Sequence, residues 1–68
     1  MIAVGVTVNG ADHDLEPGTT VQDMLTQLGL PEKGIAVAVD GIVLPRSRWG
    51  EDVGRGWTIE VLTAVQGG

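Results

Sequence analysis

Two turn dipeptides, Asn9-Gly10 and Asp40-Gly41, each set between short apolar runs, constrain this chain more than any other feature. Asn-Gly and Asp-Gly are the favoured pairs for two-residue hairpin turns, in which both central residues take positive φ. Before the first pair, Ile2, Val4, Val6 and Val8 alternate with small or polar residues, the period-2 pattern of a half-buried strand. After it, residues 11–16 return as a second strand, with Asp12, Asp14 and Glu16 on one face and Ala11, His13 and Leu15 on the other. Such charges mark a protected sheet edge. Around the second pair, Ile35-Ala36-Val37-Ala38-Val39 reads as an interior strand. Ile42-Val43-Leu44 returns antiparallel as far as Pro45, which cannot donate to a ladder.

Between the hairpins the period changes. Pro17-Gly18 breaks the strand, Thr20 can cap a helix, and Asp23 stands in for the longer acid of a capping box. Val21, Met24, Leu25 and Leu28 then fall at i, i+3, i+4 and i+7, one stripe wide enough to cover a sheet face. Gly29 suits the left-handed position that ends a helix, and Pro31 stops it resuming, so the spacing predicts a helix over 21–28. Residues 46–56 are the longest irregular stretch, and residues 57–63 supply a fifth strand.

Strand, strand, helix, strand, strand, loop, strand predicts an α+β domain: a mixed five-stranded sheet with one main helix packed on one face. Closing the sheet most simply places the last strand parallel to the first, through a right-handed crossover. That is the β-grasp arrangement of ubiquitin-like proteins.

The size and charge limit the function. With 68 residues the chain is one small domain, too small for a deep enclosed active site. It has no cysteine, so it can form neither a disulfide nor a thiolate centre, and a reducing cytoplasmic setting is expected. Nine acidic residues against four basic ones give a net charge of −5, which argues against nucleic acid and leaves basic protein surfaces as candidate partners. No basic segment followed by an apolar stretch suggests a signal peptide, and no apolar run is long enough to span a membrane.

The functional signal lies at the end, in Val65-Gln66-Gly67-Gly68. Residues 1–63 are expected to form the domain and residues 64–68 a flexible tail. Two residues without side chains can thread a narrow channel and leave a terminal carboxylate unshielded. With a pKa of about 3.5 that carboxylate is ionised at neutral pH and can attack the α-phosphate of a nucleotide to form an acyl-adenylate. The alternative is an ordinary frayed terminus. A docking surface must then lie on the domain, and the expected patch is the sheet face opposite the helix, with Ala36 or Val37, Leu62 and Ala64 exposed.

Other constellations point less far. His13 with Asp12 and Asp14 has the residue types of a metal cluster, but consecutive strand residues face opposite sides, so no metal site is expected. Arg46, Arg48 and Arg55 are either an anion site or a solvated loop balancing Glu51 and Asp52. Gly50, Gly54 and Gly56 lack the spacing of a phosphate-binding loop. Trp57 is either a partner contact or the closure of one end of the core. No nucleophile and base can be placed together, so no enzymatic activity is expected.

Ala36-Val37-Ala38-Val39-Asp40-Gly41, Val43-Leu44-Pro45-Arg46-Ser47 with Trp49, and the stretch from Ile59 through Thr63-Ala64-Val65-Gln66-Gly67-Gly68 occur in the order and spacing of the ThiS family, which this chain resembles over essentially its whole length. The resemblance implies a sulfur carrier for thiamine thiazole biosynthesis. By that resemblance, a ubiquitin-activating-like adenylyltransferase of the ThiF type would consume ATP to adenylate Gly68, and a sulfur donor such as a cysteine desulfurase would convert it to a thiocarboxylate. A thiazole synthase of the ThiG type then takes the sulfur. Ala64, Val65, Gln66 and Gly67 would thread into these enzymes, and the carrier would bind no cofactor of its own. Two related roles share the same activation step: a sulfur carrier of the molybdopterin synthase small-subunit type, and a ubiquitin-like protein modifier.

Overall fold

The computed structural model describes residues 2–31 and 33–63. Asn9 and Gly10 take φ of 50° and 82°, Asp40 and Gly41 take 51° and 83°, and each pair closes a two-residue hairpin. The first joins β1 (Val4–Val8) to β2 (Ala11–Leu15), with Val8 opposite Ala11 and Val4 opposite Leu15. The second joins β3 (Ile35–Val39) to β4 (Ile42–Leu44), with Val39 opposite Ile42. The last strand, β5 (Thr58–Thr63), lies parallel to β1 and antiparallel to β3, giving one mixed sheet in the order β2-β1-β5-β3-β4. The expected β-grasp topology is therefore present.

Strand limits are shorter than the pattern predicts. Ile2 is three-quarters exposed and lies outside β1, and Trp57 precedes β5, although its carbonyl still accepts from Thr7 N–H at 3.0 Å. The helix α1 is Val21–Gln27, with Leu28 as its C-cap.

Seven residues make a helix that would be marginal alone, so its order comes from its ends and its packing. Val21, Met24 and Leu25 are fully buried. At about 1.5–3 kcal/mol each, the three contribute roughly 5–9 kcal/mol of apolar burial. Thr20 Oγ1 accepts from Asp23 N–H at 3.1 Å, and Asp23 Oδ2 accepts from Thr20 N–H at 3.5 Å, completing the capping box. The remaining free N–H groups of the first turn go to the irregular segment: Val21 donates to Glu51 O at 3.1 Å and Gln22 to Trp49 O at 2.9 Å. At the other end Gly29, with φ of 72°, lets Leu30 N–H reach back to Leu25 O at 2.9 Å.

The stretch 46–56 is thus not a passive loop. It opens with a short 3-10 turn, Arg46–Arg48, and sends Trp49 and Val53 into the core. Trp49 is 3% exposed, and its indole N–H donates to Leu44 O at 3.2 Å, so burial leaves no unpaired donor there. Val53 N–H donates to Thr19 O at 2.8 Å, tying the segment to the residue before the helix cap. The core formed by one sheet face (Val4, Val6, Val8, Leu15, Val37, Leu44, Ile59, Val61) and α1 is closed by these two side chains.

Candidate functional site

The other sheet face carries no helix among the described residues, and the strand registers say which residues share it. Along β5, Ile59 and Val61 turn into the core while Thr58, Glu60 and Leu62 turn away. Leu62 pairs with Ala36, Glu60 with Ala38, and Ala38 in turn with Val43 of β4. On the other flank Thr58 pairs with Thr7, Thr7 with Asp12, and Gly5 with Asp14. The open face therefore divides into two halves. One is apolar, with Leu62 58% and Val43 66% exposed beside Ala36 and Ala38. The other is acidic, with Glu60, Asp12 and Asp14, where Asp12 Oδ1 accepts from Thr7 Oγ1–H at 3.0 Å.

This arrangement sharpens the expected patch. Ala36 is exposed on the open face, but Val37 is fully buried on the opposite one, because the period of two sends neighbours to opposite sides. Val37 is thereby removed from the patch. Val43 and Glu60 share the open face; the signal that could have found Val43 is the hairpin register, and for Glu60 it is the alternation with Leu62 along β5. A shallow hollow lined by Gly34, Ile35, Ala36, Leu62 and Thr63 sits where β5 ends. Ala64, Val65, Gln66, Gly67 and Gly68, with the expected tail, lie outside the described residues.

Trp57 is half-buried and packs against the core. It also lines a groove with Val39, Ile42, Val43, Leu44, Arg48 and Glu51 on the β4 side of the sheet. Residues 54–57 form a turn in which Trp57 N–H donates to Gly54 O at 3.3 Å, folding the indole back over Gly54. A Cβ at Gly54 would collide with that ring.

Of the three arginines, Arg48 makes a two-point contact with Glu51, at 2.7 Å from Nε and 3.0 Å from Nη2. That hydrogen-bonded pair holds the Glu51 carboxyl below its ordinary value and the Arg48 guanidinium above its own. The Arg46 guanidinium lies 4.6 Å from the centre of the Trp49 ring. The geometry favours the solvated-loop reading for Arg48, whose charge is met by Glu51. His13 faces the core side of β2 beside Val6, while Asp12 and Asp14 lie on the open face, so the three side chains do not converge.

One feature of the site leaves no mark in the local sequence pattern. The Asn9 carboxamide reaches β5: Oδ1 accepts from Val61 N–H at 2.8 Å, and Nδ2 donates to Val61 O at 3.3 Å. Asp40 acts at the other end of β5, where Oδ1 accepts from Thr58 N–H at 3.2 Å and its own N–H donates to Thr58 O at 2.8 Å. Both hairpin turns thus grip the strand from which residues 64–68 continue.

Among the described residues, no helix is long and apolar enough to cross a membrane. The chain resembles the crystal structure of the thiamine biosynthesis protein ThiS from Geobacter metallireducens with a TM-score of 0.74 and 26% identity, covering 96% of this chain and 100% of that one. It also resembles a Caldiarchaeum subterraneum ubiquitin with a TM-score of 0.56 and 16% identity, covering 98% of each, a likeness of fold alone. No curated protein matches the chain significantly by sequence. A model of the ThiS family matches residues 6–68, which takes in most of the first hairpin, the helix, the second hairpin, β5 and the terminal Gly67-Gly68. The chain belongs to the ThiS family.

Proposed function

We propose that this protein is a sulfur carrier for thiamine thiazole biosynthesis, acting in the cytoplasm as a protein cosubstrate rather than an enzyme. The observation that carries the reading is a family match that runs to the last residue, Gly68, on a domain whose fifth strand leads into that ending. The Gly68 carboxylate attacks the α-phosphate of ATP in an adenylating partner of the ThiF type, giving an acyl-adenylate and releasing pyrophosphate. The terminal sulfur of a persulfide, as borne by a cysteine desulfurase, attacks the acyl-adenylate carbonyl and expels AMP, and a thiol reductant then cleaves the S–S bond of the resulting acyl disulfide, freeing the thiocarboxylate and returning the donor cysteine as a thiol. Thiazole synthase then accepts the sulfur, and an oxygen from water or from the acceptor's carbonyl takes its place to return the carboxylate.

Physical chemistry favours a carrier for this task. A free thioacid is a good nucleophile with no address, whereas one fixed to a folded domain goes where the domain docks. The open face supplies the docking chemistry: apolar area at Leu62, Val43 and Ala36, and carboxylates at Glu60, Asp12 and Asp14. On a domain this small, that apolar area is a reasonable interaction patch, and the carboxylates suit a basic partner surface. ATP is consumed by the partner, and the carrier binds no cofactor itself.

The test is ATP–pyrophosphate exchange by the adenylating enzyme with the full chain and with a chain lacking Gly68. Exchange that requires Gly68 supports the proposal. Exchange that proceeds equally well without Gly68 removes the carboxylate from the chemistry and overturns it.

A further inference from the structure

In a parallel pair, a strand residue donates its N–H to one residue of its neighbour and accepts at its C=O from a residue two further on. β1 and β5 follow this pattern only briefly. Thr7 N–H reaches Trp57 O at 3.0 Å and Asn9 N–H reaches Ile59 O at 2.9 Å, after which the chain turns away through Gly10. β5, by contrast, runs on to Thr63. At Val61 the next rung has no strand of β1 to meet.

The Asn9 side chain fills that rung. A primary carboxamide has the same donor and acceptor pair as a peptide unit, and here both are used, on the two backbone groups of one residue. Asparagine is suited twice over, because it also tolerates the positive φ of 50° that the turn requires. Aspartate would keep the acceptor for Val61 N–H and lose the donor for Val61 O. Glycine would keep the turn and lose both.

The position of this rung gives it a function. Val61 is the last buried residue of β5, and Leu62 and Thr63 are exposed beyond it. Five residues separate Thr63 from the end, a segment that spans at most about 18 Å when extended. Where such a short segment can deliver its terminus depends on the point and direction at which the sheet releases it. Asp40 holds the start of β5, so Asn9 is the turn residue that acts on the releasing end.

We propose that Asn9 is a positioning residue: its carboxamide replaces the missing rung of β1, anchors Val61, and fixes the exit of residues 64–68 relative to the open docking face. This rests on the reading that Gly68 is the reacting residue. Loss of the anchor leaves docking intact and makes productive presentation of the terminus rarer.

The test is Asn9→Gly, which preserves the turn, with Asp40→Gly as the matched variant at the other end of β5. Two quantities are read: amide hydrogen exchange at Val61, and the kcat and KM for the carrier in ATP–pyrophosphate exchange by a ubiquitin-activating-like adenylating enzyme. A merely destabilised carrier raises the apparent KM, because only the folded fraction competes, and leaves kcat at saturation unchanged. The expected result for Asn9→Gly is roughly tenfold faster Val61 exchange, equivalent to about 1.4 kcal/mol and to one hydrogen-bonded link. It comes with a several-fold fall in kcat at unchanged KM, whereas Asp40→Gly leaves kcat at the wild-type value. Unchanged exchange at Val61, or an unchanged kcat despite faster exchange, overturns the proposal. A wild-type chain that the adenylating enzyme does not turn over sinks the functional reading itself, and the positioning role with it.

Discussion

Gly54→Ala combined with Trp57→Ala gives an effect whose sign depends on the background. Gly54 is not in the left-handed region, so its backbone accepts alanine, and in open space the change would stabilise the fold by about 0.4–1 kcal/mol through the unfolded chain. The space is not open, because the Trp57 indole lies where the new Cβ would be. The ring must leave, and the cost is bounded by what its packing is worth. Burying a whole tryptophan is worth about 3–5 kcal/mol against alanine, and Trp57 keeps only a minor part of its surface exposed, so its packing is worth roughly 2–4.5 kcal/mol. Subtracting the backbone gain leaves Gly54→Ala destabilising by at most about 1–4 kcal/mol in the wild type. In the Trp57→Ala background the obstacle is gone, and the same change should stabilise by about 0.4–1 kcal/mol. Thermal unfolding followed by circular dichroism resolves this, since a domain of this size shifts by about 4–8 °C per kcal/mol. Equal effects of Gly54→Ala in both backgrounds would refute the reasoning, because the two sites would then be uncoupled.

Thr20→Ala removes the acceptor for Asp23 N–H and half of the capping box, and is expected to cost about 0.5–2 kcal/mol, measured by urea unfolding. Leu62→Asp should change stability little, since the side chain is 58% exposed, yet weaken docking to the adenylating enzyme. Burying that remaining leucine surface is worth about 1–2 kcal/mol, so calorimetric titration should show a loss of roughly five- to thirtyfold, and unchanged affinity would contradict the docking face. The Glu51 carboxyl is held below its ordinary 4.5 chiefly by the hydrogen bond from Arg48, so its contribution is present above that value and lost as pH falls through the lowered folded value. Glu51→Gln should therefore flatten the acid limb of the stability curve slightly, and added salt should shrink the difference, because the pair is solvent-exposed.

The parts of the fold legible in the sequence are those fixed by local physics. Asn9-Gly10 and Asp40-Gly41 demand turns, Val21, Met24 and Leu25 demand a helix face, and Thr20 with Asp23 demands a cap. The parallel pairing of β5 with β1 followed from the order of elements. Residues 46–56 escaped because nothing periodic distinguishes Trp49 and Val53 from loop residues. Their burial is decided by the helix's first N–H groups, which find partners in that segment. At the site, alternation alone left Ala36 and Val37 as rivals, and only the register of β3 against β5 put Ala36 beside Leu62. The reach of Asn9 to Val61 was invisible for the same reason, since it joins residues 52 apart in the chain.

Whether Gly68 carries sulfur is read most directly from the intact mass of the protein isolated from its own cells, with fragmentation to locate any modification. Sulfur carriage gives a gain of about 16 Da, from sulfur replacing oxygen, confined to the C-terminal glycine. The same gain on Met24 would be oxidation and would not count. An unmodified Gly68, with the chain found instead in isopeptide linkage to lysines of other proteins, would contradict the account and make the protein a modifier rather than a carrier.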